Sequence, residues 1–216
     1  MVSNNVQLMR DCGQSVWYDN ISRGLIESGG LQELIDLGVS GLTSNPTIFE
    51  QAVTGSSDYD NALLELARRG KTAEEIYETL AINDIRSAAD LLEPIYDGSD
   101  GADGYASLEV SPYLAHDTEK TVAEAKRLFK ALDRPNVMMK VPATPQGIPA
   151  VHRLIGEGIN VNVTLTFSLE SYRDVRQGYL AGLEDLHWSG GELASISSVA
   201  SFFISRVDTA VDSLID

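Results

Sequence analysis

The chain has 216 residues, enough for one large domain with a sizeable core. Its 43% hydrophobic and 22% charged residues are those of a soluble globular protein, and no apolar run approaches the roughly 18 residues of a membrane span. A formal charge of −16 argues against a nucleic-acid surface and opposes long-range attraction of an anionic substrate. Any phosphate must therefore be held by a few local groups, such as an arginine and a helix N-terminus.

The single cysteine, Cys12, rules out an internal disulfide and fits a reducing, cytoplasmic setting. The opening Met1-Val2-Ser3-Asn4-Asn5 lacks the basic and apolar regions of a secretory signal. His116, His152 and His187 are scattered and show no metal-ligand spacing. No metal or cofactor is expected.

In chain order, residues 1–13 read as a lead-in. Ser15–Tyr18 is a short strand, followed by a helix over Arg23–Asp36 capped by Ser22. Gly29-Gly30 should split that helix, because each glycine costs about 1 kcal/mol inside it. Val39–Thr43 is a second strand and Ser44-Asn45-Pro46 a turn. Residues 47–101 hold no clear strand, only helical patterns near 58–69, 72–80 and 82–96, and a Gly/Asp-rich loop covers 97–104. Then strands and helices alternate. The strands are Tyr105–Val110, Val137–Val141, Ile159–Leu165 and Ser195–Phe203. The helices are Glu119–Leu132, Pro149–Gly156, Ser168–Leu186 and one from Ser205.

Six strand–helix units, several with strands apolar on both faces, indicate a parallel sheet wrapped by helices. An open doubly wound sheet and an eight-stranded (β/α)8 TIM-barrel type compete. The absence of GxGxxG after the first strand weakens a dinucleotide-binding sheet.

Polar residues gather at the strand ends. Lys140 is the one lysine of five placed in an apolar strand, Val137-Met138-Met139-Lys140-Val141. Burial disfavours an ammonium, and a neutral amine is what attacks a carbonyl to form a Schiff base. Snorkelling from the strand end is the alternative. Asp19 ends strand one and Asn45 follows strand two, though either could be a cap or turn residue. Glu109 interrupts Leu108 and Val110, and a buried carboxylate needs a partner. Asn162 and Thr164 alternate with Val161, Val163 and Leu165 and so share one face. Ser201 and Arg206 close the series. An amine, acid/base groups and neutral hydrogen-bonders are the set a Schiff-base enzyme requires.

Val16-Trp17-Tyr18-Asp19, Leu42-Thr43-Ser44-Asn45-Pro46-Thr47, Ser107-Leu108-Glu109-Val110, Met139-Lys140-Val141-Pro142-Ala143-Thr144 and Asn160-Val161-Asn162-Val163-Thr164-Leu165 occur in one order along the chain. In these motifs the chain resembles the transaldolase family of Schiff-base enzymes of the pentose phosphate pathway. The resemblance implies a (β/α)8 barrel, of which 1–216 would be a single C-terminally incomplete domain. It implies transfer of a dihydroxyacetone unit from sedoheptulose 7-phosphate or fructose 6-phosphate to glyceraldehyde 3-phosphate or erythrose 4-phosphate. It assigns the Schiff base to Lys140, acid/base catalysis to Asp19 and a catalytic water to Glu109 and Thr164. Asn45 and Asn162 would bind the dihydroxyacetone unit, and Ser201 and Arg206 the phosphate end. The expected partners are sugar phosphates, with no nucleic acid or membrane, in a monomer or homodimer. A lyase of the fructose-6-phosphate aldolase kind and a non-catalytic barrel fragment are the alternatives.

Overall fold

The computed structural model describes residues 4–215. Two compact units divide the described residues: 4–109 with 130–137, and 110–129 with 138–215. The elements in order are α1 (Asn5–Asp11), β1 (Val16–Tyr18), α2 (Arg23–Glu27), α3 (Gly30–Asp36), β2 (Val39–Thr43), α4 (Pro46–Gly55), α5 (Asp60–Arg68) and α6 (Ala73–Gly98). They continue with β3 (Ala106–Glu109), α7 (Thr118–Leu132), β4 (Val137–Pro142), α8 (Gly147–Gly156), β5 (Val161–Thr166), α9 (Leu169–Trp188), β6 (Ser198–Phe202) and α10 (Ile204–Ile215).

In the first unit β1 pairs with β2 and β2 with β3, all parallel. In the second, β4 pairs with β5 and β5 with β6, again parallel. Strands that pair in sequence order, each followed by a helix, give the (β/α)8 barrel type with six βα units among the described residues.

The lead-in carries a helix, α1. Asn4 accepts from the Gln7 N–H at 2.8 Å and starts it. Its short span and wholly unburied face left no apolar period in the sequence. The split at Gly29 is present: φ is +84° there, a left-handed conformation that glycine takes without a Cβ clash. The patterns at 72–80 and 82–96 are one 26-residue helix, α6. Thr72 and Glu75 form a capping box at its start. Pro94 lies within its last turns, so the helix runs into the segment expected to be loop. One face of α6 buries Leu80, Ala81, Ile85, Ala88, Ala89 and Leu92, each large apolar side chain contributing about 1.5–3 kcal/mol.

In the second unit every residue of β4 from Met138 is buried, and β5 is buried at all positions but Leu165. Gly147 opens α8 hard against the end of β4: a Cβ there would lie 1.9 Å from the Pro142 carbonyl oxygen. The Thr144 hydroxyl accepts from the Gly147 N–H at 2.9 Å and fixes that turn. The segment just past Lys140 is thereby held rigidly.

Candidate active site

The second unit brings four of the expected residues onto three adjacent strands. Lys140 is only 5% exposed. It stands opposite Asn162 in the β4–β5 register, and Pro142 stands opposite Thr164. Residues two apart on a strand share a face, so Lys140, Asn162 and Thr164 lie on one side of the pair. Asn162 and Thr164 are each 1% exposed. On β6 the Ser201 hydroxyl donates to Asn162 Oδ1 at 3.0 Å. The Met139 N–H donates to the Asn160 carbonyl at 2.9 Å and the Ala143 N–H to the Thr164 carbonyl at 2.8 Å, so the ladder to β5 runs past Pro142, whose missing N–H would face the other edge of β4. Leu165, next to Thr164, adopts φ +61°, a conformation disfavoured for a branched apolar residue. The β5–β6 register shifts here too, so β5 ends in a kink beside the polar row.

Arg206 follows on the helix after β6. It is exposed on α10, with its guanidinium 4.6 Å from the centre of the Phe203 ring. Phe203 also stacks on Phe167 at 5.4 Å.

The first unit holds the other three. Asp19 is exposed immediately after β1. Asn45 caps α4: its Oδ1 accepts from the Ile48 N–H at 3.0 Å, and Pro46 follows at the first helical position. Its amide nitrogen is the part of the side chain that can donate elsewhere. Glu109 ends β3 half-buried. Its carboxylate is near enough to Tyr77 to act on the phenol, which burial first and the Glu109 charge second push up to about 12.

A polar cluster in the same unit was not read from the sequence. Asp84 is 4% exposed on the apolar face of α6. Its Oδ1 accepts from Arg23 Nε at 3.1 Å and Nη2 at 2.7 Å. Its Oδ2 accepts from the Tyr59 hydroxyl at 2.8 Å, and that oxygen accepts from the Arg23 backbone N–H at 2.8 Å. The guanidinium also sits 4.6 Å from the centre of the Tyr59 ring. Burial raises the Asp84 carboxyl above the usual range, against the pull of Arg23 and Tyr59. Burial likewise raises the Tyr59 phenol, despite the hydrogen bond from Arg23. The available signal was positional: Asp84 falls four residues after Leu80 and four before Ala88, on the buried stripe.

Residues 16–215 match the family described as Transaldolase/Fructose-6-phosphate aldolase. A protein named Transaldolase from Saccharopolyspora erythraea is 54% identical over 97% of this chain and 57% of its own length. One of the same name from Trichodesmium erythraeum is 49% identical over 100% of this chain and 57% of its own. Another, from Mycobacterium bovis, is 48% identical over 98% and 57%. The chain spans a little over half the length of these relatives.

Proposed function

The chain belongs to the transaldolase/fructose-6-phosphate aldolase family, and we propose that it acts as a transaldolase on sugar phosphates in the cytoplasm. The observation that carries this reading is Lys140, a buried lysine set in register with Asn162, which itself accepts from Ser201. No helix among the described residues is long and apolar enough to cross a membrane.

In the proposed reaction the Lys140 amine attacks the C2 carbonyl of a ketose phosphate, and the carbinolamine loses water to give an imine. Asp19 takes the C4 hydroxyl proton as the C3–C4 bond breaks. The bonding pair flows into the imine, leaving a three-carbon enamine on Lys140 while an aldose phosphate departs. The enamine then attacks the aldehyde of an acceptor aldose phosphate, the proton returns, and water releases the new ketose. Glu109 and Thr164 are each assigned to the water of dehydration and hydrolysis. Asn45 and Asn162 are assigned to the three-carbon unit, and Ser201 and Arg206 to the phosphate end. Arg206 suits a phosphate because it is always charged and forks towards oxygen.

The test is borohydride reduction in the presence of fructose 6-phosphate. We expect activity to be lost only with donor present, and the intact protein to gain one reduced three-carbon unit. With erythrose 4-phosphate as acceptor, glyceraldehyde 3-phosphate should be released over many turnovers; without it, release should stop near one equivalent. Sustained release without acceptor would replace transfer with an aldolase reaction. No adduct would overturn both.

A further inference from the structure

We propose that Tyr59 and Asp84 are positioning residues that hold Asp19 in place through Arg23. The inference rests on the transaldolase reading for the role of Asp19, and on the first unit alone for its geometry.

Asp19 begins a four-residue passage from the end of β1 to the start of α2. An exposed carboxylate on such a passage has no fixed place unless both ends are fixed. One end is the parallel pairing of Trp17 and Tyr18 with Gly41 and Leu42. Trp17 lies so close over Gly41 that a Cβ there would sit 2.4 Å from the indole. The indole N–H also donates to Asp103 Oδ1 at 3.1 Å. The other end is Arg23, held through both its backbone N–H and its guanidinium. Between them Asn20 accepts from the Ile21 N–H at 2.8 Å, Ile21 is fully buried, and Ser22 caps α2 by accepting from Leu25.

The composition of the clamp bears on its purpose. Removing an arginine and a carboxylate from water is costly, and an apolar cluster of the same volume would hold two helices as well or better. What the charged cluster adds is direction. The Asp84 oxygens receive two guanidinium hydrogens and a phenol, and the phenol oxygen receives the Arg23 backbone N–H at the end of the passage. That bond fixes the backbone four residues from Asp19. A placement error of about 1 Å at a reacting group can cost on the order of a hundredfold in rate.

The experiment compares the unsubstituted chain with Tyr59→Phe and Asp84→Asn, in two arms. The first is amide hydrogen exchange. The account expects faster exchange from Asn20 to Arg23 in both variants, with the strand amides of β2 unchanged. The second is borohydride trapping with fructose 6-phosphate, read by adduct size. Schiff-base formation precedes the step assigned to Asp19, so a misplaced Asp19 lets the donor bind and stalls cleavage. The ratio of six-carbon to three-carbon adduct should rise at least about tenfold, with total adduct maintained. A purely structural role would lower total adduct and raise exchange throughout. Unchanged exchange at residues 20–23 in both variants, or an unchanged adduct ratio, would overturn the inference. Where Asp84→Asn does not fold, Tyr59→Phe carries both arms, since it keeps the ion pair. Absence of any adduct on the unsubstituted chain would defeat the transaldolase reading instead, and the exchange arm would still decide the clamp.

Discussion

Arg23 in the first unit and Lys140 in the second are both basic side chains withdrawn from water, and their surroundings differ. Arg23 faces a buried carboxylate and a buried phenol, and three hydrogen bonds commit it. Lys140 lies in a strand of Val and Met, with neutral Asn162 opposite it and Thr164 two residues along the same face. An arginine cannot give up its proton in a protein, so a buried arginine can only hold geometry. Lysine is the residue that can lose one and become a nucleophile. On the proposed reading the two units use buried basic side chains for different ends, one to fix the backbone and the other to present an amine.

The sharpest way to break this comparison is to leave Arg23 without its anion. Asp84→Ala should cost about 3–5 kcal/mol, because a buried guanidinium loses its counter-charge. A urea titration would show a lower midpoint with a similar slope. A loss under about 1 kcal/mol would mean that the pair is effectively solvated.

Thr72→Ala probes the helix that delivers Asp84. It removes the hydroxyl that accepts from Glu75 and should cost about 1 kcal/mol in the same titration. The loss should leave the borohydride adduct on the second unit unchanged.

The smallest effect concerns Glu109. The folded pKa of Tyr77, at about 12, lies above its ordinary value of 10.0. A group raised in this way favours folding fully below pH 10, and its contribution is lost as pH rises towards 12. Tyr77→Phe should flatten part of the decline in stability between those values. The effect stays modest because 37% of Tyr77 is exposed and its interaction with Glu109 is screened. Midpoints measured at pH 9 and pH 11 for both proteins give the difference.

The same contrast explains what the sequence could reveal. A lysine among Val and Met breaks an apolar run of six, and Asn162 and Thr164 break the next strand in step with it. Strand period makes such residues conspicuous and assigns them a face. Pairing in sequence order then follows from the alternation of strands and helices. Asp84 was hidden because a helix surface normally carries acids every few residues. Seeing it required the buried stripe of α6, and its partners lie 25 and 61 residues away. Helix α6 was divided in two at 81, where Thr79 and Asn83 weaken local propensity, whereas burial of Leu80, Ile85, Ala88 and Leu92 holds it whole. Asn45 was legible as a turn or cap residue before Pro46, and it caps α4 through its amide oxygen.

The most direct measurement locates the reduced adduct among the five lysines by peptide mass mapping after trapping with fructose 6-phosphate. The other four differ from Lys140 in setting: Lys71, Lys120 and Lys126 form surface ion pairs with Glu75, Asp117 and Glu157, and Lys130 lies on α7. The account predicts the three-carbon unit on Lys140 and on no other lysine, and no adduct in Lys140→Met. An adduct on any of the other four, or one that persists in Lys140→Met, would contradict it.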